Sequence, residues 1–298
     1  MSAAQISPRE APVPGEPARR ALPWVLGGVA GAIAVSGAVA FGWMVDETRF
    51  ERPDARFDAL VDDLRALPGV ETVESQRWVE VSNLSDPTSW ISLDVTAANL
   101  VAVDETLCET TYPDPVSVRI RVRTAEGTEL VVGNGLEDPV FSAGTCPDLG
   151  VDAVGLLSEI DRVVPGLTVD AAVRPGKGLA LVAFENAPDD SLTEMLPLVS
   201  RGSRLLAAAG VEPHGTVLIE SPSLSVPLTA EDDEAYAQLL TTLSRDFGVR
   251  SFGVAPDAAP PVDGIQIVAP QRNREAIERV IAAADVPAST LKVRFLRE

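Results

Sequence analysis

The sequence predicts an α+β protein in which a single N-terminal transmembrane helix precedes about three repeated helix-and-hairpin modules. Three observations carry that expectation. Residues 21–45 contain no charged side chain. Beyond them, apolar residues alternate between helical and strand periodicity in a recurring order. Glycine followed by an apolar residue closes the helices at Gly69-Val70, Gly166-Leu167, Gly210-Val211 and Gly248-Val249, as a left-handed helix cap opening into a strand requires.

Residues 1–20 are rich in Pro and Ala and bury too little apolar surface to offset ordering entropy, so a disordered cytoplasmic arm is expected. Residues 21–45 are long enough to span a bilayer, which needs about 20 apolar residues as helix. Trp24 and Trp43 lie near the two ends, where indole favours the headgroup zone. Arg19 and Arg20 at the near flank, with Asp46 and Glu47 at the far flank, place the N-terminus inside and the remainder outside the cytoplasm. Arg49, Arg52, Arg56 and Arg65 on the far side weigh against that orientation. The rival reading is a cleaved signal, with Ala38-Val39-Ala40 as a small-x-small site and a mature start at Phe41. Gly27 and Gly31 have the spacing of a transmembrane homodimer face, one that arises easily by chance in so glycine-rich a segment.

Composition narrows the function classes. The arm holds three cations and two anions, so the remainder carries −21 against −20 for the whole chain. Such a surface repels nucleic acid, and no nucleic-acid partner is expected. Cys108 and Cys146, the two cysteines, fit one disulfide outside the cytoplasm. Closing a loop of about 40 residues contributes roughly 3–4 kcal/mol in the chain-entropy model.

Residues 46–135 form the first expected module: a helix over 55–67, strands over 72–81 and 90–95, a weaker helix over 97–107, then strands over 116–122 and 129–132. The stretch 83–88 reads as a turn-rich connection, and 136–150 as a loop. The second module, 151–221, has a helix over 151–164, strands over 167–173 and 179–184, a helix over 190–209 made irregular by Pro197, and a strand over 216–220. The third, 222–298, opens with a strand over 224–228 and a helix capped by Thr229, with Glu231–Glu234 in its first turn. Leu239, Leu240 and Leu243 supply its buried face, Ile277, Val280 and Ile281 that of a helix over 272–284, and 249–254, 265–268 and 291–296 are strands. This order, with short-range hairpins, predicts ferredoxin-like (split βαβ) modules with antiparallel or mixed sheets.

Chemistry-bearing motifs are sparse. His214, the one histidine, sits in Pro213-His214-Gly215 and reads as a loop bystander. Ser289 and Lys292 have the spacing of a penicillin-binding serine motif without its companion motifs. Arg174 to Gly178 joins two strands, so it reads as a hairpin turn and not a phosphate loop. Glu231–Glu234 lacks EF-hand spacing. Asn83-Leu84-Ser85 fits a glycosylation triplet. Trp78 and Trp90 flank one hairpin and are either core or an exposed pair that binds a glycan or a partner strand. No metal, cofactor or catalytic constellation is expected. The chain therefore reads as a single-pass, extracytoplasmic binding or scaffolding module engaging an envelope or membrane protein. The alternatives are a carboxylate-dependent envelope hydrolase and a small-ligand sensor.

Overall fold

The computed structural model describes residues 49–80, 83–133, 139–174, 178–184, 191–211, 215–254 and 264–296. Packing divides the chain into two units, residues 1–50 with 79–85 and residues 51–78 with 86–298. The account below concerns the second. Among the described residues no helix is long and apolar enough to cross a membrane; residues 21–45, with Gly27 and Gly31, lie outside them.

The strands are β1 (Arg49–Glu51), β2 (Val70–Glu80), β3 (Asn83–Thr96), β4 (Val116–Arg123), β5 (Glu129–Val132), β6 (Val140–Phe141), β7 (Thr168–Arg174), β8 (Gly178–Phe184), β9 (Val217–Glu220), β10 (Leu224–Leu228), β11 (Ser251–Val254), β12 (Ile265–Val268) and β13 (Val293–Phe295). The helices are α1 (Ala55–Arg65), α2 (Leu100–Cys108), α3 (Ala153–Val163), α4 (Ser191–Val199), α5 (Gly202–Ala208), α6 (Asp233–Phe247) and α7 (Arg274–Ala283). All thirteen strands belong to one mixed sheet in sequence order, except that β6 pairs with β4. Hairpins alternate with helical crossovers: β3–β4, β5–β7, β8–β9, β10–β11 and β12–β13 are the parallel pairs.

This overturns the expectation of separate ferredoxin-like modules. Strand β5 pairs with β7 across the expected loop 136–150, and β9 pairs with β10 across the expected boundary at 221. In a split βαβ unit the crossover skips a strand, whereas here each crossover returns to the adjacent position. Local sequence specifies helices and hairpins equally well in both arrangements.

One face of the sheet holds the core. Strand β4 shows why: Val116, Val118, Ile120 and Val122 are buried, while Ser117, Arg119, Arg121 and Arg123 alternate with them on the other side. The register carries that buried face across the sheet, Ile120 to Val132, Ala171, Leu181, Ile219 and Val226. All seven described helices contribute to the same cluster, from Phe57 of α1 to Ile281 of α7. Val131, Ala180 and Leu218 are buried but stand outside it, because they point to the opposite face. The helices therefore form a single layer on one side. Strand direction reverses at every hairpin while the chain advances one way across the sheet. With all helices on one face, successive crossovers must then have opposite hands, and alternate ones depart from the usual right-handed rule.

Local departures have local causes. The expected helix over 190–209 breaks at Ser200-Arg201 into α4 and α5, with Pro197 inside α4. Strand β3 begins at Asn83 and so includes the stretch read as a turn. Thr229 is not the cap of α6. Asp232 is, and its carboxylate instead accepts the Thr229 N–H at 2.7 Å. Gly178 adopts φ +84 where the backbone carbonyl of Thr216 occupies the space a Cβ would need, so glycine is required at the start of β8. Cys108, ending α2, and Cys146 lie at disulfide distance with Cα atoms 4.3 Å apart.

Candidate functional site

The face of the sheet that bears no helix among the described residues carries an array of polar and aromatic groups. Its central feature is an ion-pair ladder built on β4. Arg121 Nη1 donates to Asp94 Oδ1 at 3.3 Å across the parallel β3–β4 pair, and Thr72 Oγ1 donates to Asp94 Oδ2 at 2.6 Å. Arg123 reaches Glu129 Oε1 of β5 at 2.6 Å and Glu71 Oε2 at 3.2 Å. The hydrogen bond that Arg123 donates to the Glu129 carboxylate holds its guanidinium above the ordinary pKa. One register line runs Asp94, Arg121, Val131, Asp170, Val182, Glu220, Ser225, Gly253, Gln266 and Arg294, so ten strands present one row to the same side. Farther along, Arg174 lies 3.6 Å from Glu220.

Trp78 and Trp90 share this face. Trp90 alternates with the core residues Ile91 and Leu93 and lies beside Ser117 of β4. Trp78 points away from Arg77, whose guanidinium goes to the helical side, where it meets Tyr112 Oη at 2.9 Å and Asp114 Oδ2 at 2.9 Å. Both indoles are half-buried. Two residues beyond Trp90 along the β3–β4 pair, Arg119 pairs in register with Ser92 and has no ion-pair partner among the described residues. Two indoles, a free guanidinium and serine hydroxyls on a flat surface can stack on, and donate hydrogen bonds to, an extended or planar ligand.

The other singled-out residues are not brought together. His214 lies outside the described residues, as do residues 175–177. Arg174 and Gly178 oppose each other in the β7–β8 hairpin. Ser289 is in a short 3₁₀ turn and Lys292 follows it, with its carbonyl accepting from Ile265. Asn83 and Ser85 fall within β3. At the start of α6 burial pushes the Asp232 carboxyl up, and Asp233 accepts from Ser203 Oγ at 2.9 Å, which ties α6 to α5. No cluster of His, Cys, Asp and Glu among the described residues could hold a metal ion.

A shallow groove of about 450 Å³ lies on the helical side, between α2 and the start of α3. Asp104, Asp148 and Asp152 line it together with Val101 and Val154. Asp152 is committed to capping α3 through the Gly155 N–H. Sequence reading missed Arg77 and Arg119. The Arg/Val alternation of β4 was visible, but only the register shows what the arginines face.

No protein-family model matches the chain, and no curated protein or solved structure is detectably similar to it.

Proposed function

We propose that the chain is a single-pass, membrane-anchored protein whose extracytoplasmic part binds or scaffolds another envelope or membrane protein. The uncharged run at 21–45 supports the anchor, and pairing through Gly27 and Gly31 belongs to the same reading. The observation that carries the binding reading is the one-sided sheet: a face that bears no helix among the described residues and presents Trp78, Trp90 and Arg119. Enriched aromatic and arginine side chains are the anchors on which protein interfaces concentrate their energy. A sheet of laterally repeated helix-hairpin units offers an extended surface, as repeat proteins do.

Photo-crosslinking tests this. A crosslinker at position 119 of the full-length protein in its own membrane should trap a discrete partner, and one at Glu278 on the exposed side of α7 should not. Equal yields from both positions, or none from either, would remove the support for this face. Sequencing the N-terminus of the membrane-bound protein tests the anchor, since a start at Phe41 means a cleaved signal.

A further inference from the structure

Among the described residues strand β13 ends the sheet, with β12 as the one strand paired to it. Their pairing is parallel, with Ile265 N donating to Lys292 O and Leu296 N donating to Ile267 O. In such a ladder alternate residues turn their backbone groups to opposite sides. The N–H and C=O of Val293 and Phe295 therefore point outward, with no strand beside them among the described residues.

The edge is also cationic. Lys292 and Arg294 are exposed, and Arg274 at the head of α7 lies over the Phe295 ring at 4.9 Å. None of these three cations has an ion-pair partner among the described residues, although the chain carries −20. Leu291 and Leu296, 40 % and 43 % exposed, flank the strand with apolar surface. Backbone donors and acceptors select an extended strand; unneutralised cations select carboxylates on it; the flanking leucines select apolar residues between them.

We propose that β13 is a strand-addition site for an extended segment of a partner protein in which acidic and apolar residues alternate. The inference rests on the binding-module reading and names the chemistry of its partner. A lysine at 292 and an arginine at 294 also discourage two copies from pairing β13 with β13, since that would bring like charges together.

The test uses the full chain in nanodiscs and a blocked decapeptide of alternating Glu and Val. Fluorescence anisotropy should show binding that weakens as salt rises. Val293→Pro removes an outward N–H without touching the ladder to β12. That change should weaken binding by about tenfold or more, as should Lys292→Glu with Arg294→Glu. Arg56→Glu on α1 should leave it unchanged, and all variants should melt with the wild type. Equal binding of a peptide N-methylated at alternate residues, or of a Lys/Val peptide, would overturn the proposal. So would indifference to Val293→Pro, concentration-dependent self-association abolished by that change, or capture by anionic vesicles in place of the peptide. If crosslinking at position 119 still traps a partner when the peptide fails, the edge is excluded and the binding module stands. If both fail, the underlying reading falls.

Discussion

Arg121 and Asp94 meet at 3.3 Å across the junction of two parallel strands, on the side of the sheet that no helix covers among the described residues. The pair joins a strand on one side of the α2 crossover to the strand on the other. Lateral pairing between sequence-distant strands, not closure of small modules, thus organises the molecule. A double-mutant cycle with Asp94→Ala and Arg121→Ala should give a coupling of about 0.5–1 kcal/mol, because both side chains are partly solvated. The coupling should shrink in high salt. A value near zero would mean the two do not pair in solution.

Leu243 is fully buried on α6 among residues of the shared core. Leu243→Ala should destabilise by about 2–5 kcal/mol. Because the core is shared, the variant should unfold in urea in one transition at a lower midpoint. A new, separate transition for the C-terminal third would indicate an independent module.

Cys108 and Cys146 tie the end of α2 to the segment leading to α3. Mass mapping without reduction should recover the linked peptides. Changing both to Ser should cost about 3–4 kcal/mol in the chain-entropy account. Two freely alkylated thiols in the native protein would refute the pairing.

Burial pushes the Asp232 carboxyl above its ordinary value, even though the Thr229 N–H donates to it. From the ordinary carboxylate range upward to its folded pKa, the native state holds a proton that the unfolded chain has released. This group's contribution to stability therefore falls as pH rises through that window, and above it the charged form bears the full desolvation cost. Asp232→Asn keeps an acceptor for Thr229, so its stability relative to wild type should rise as pH climbs through that window. A pH-independent difference measured by urea unfolding would contradict this.

Much of the local structure was legible. The Val/Arg alternation of β4 and the Leu face of α6 are short-range patterns that appear where periodicity places them. Of the expected glycine caps only Gly248 closes its helix, while Ala66, Val164 and Ala209 cap α1, α3 and α5 and the left-handed Gly69, Gly166 and Gly210 follow them. The helix starts later than Thr229 because a turn, with Asp232 N donating to Thr229 O, precedes α6 at Asp233. The lateral order was not legible. A helix followed by a hairpin fits either a split βαβ unit or adjacent crossovers, and the usual right-handed preference favours the former. The same gap hid the candidate face, since only the pairing of Trp90 with Ser117, and of Ser92 with Arg119, brings those residues together.

The pairing of β5 with β7 tests the continuous sheet most directly, because it bridges the segment where separate modules would part. The register opposes Val131 to Asp170 and Val132 to Ala171, and Glu129 N donates to Leu167 O at 2.9 Å. Nuclear Overhauser spectra of the isotope-labelled chain should show contacts between the amide and α protons of these two strands in parallel register. Assigned spectra in which β5 lacks those contacts, or in which β7 meets another strand in its place, would contradict the single sheet and the one-sided face built on it.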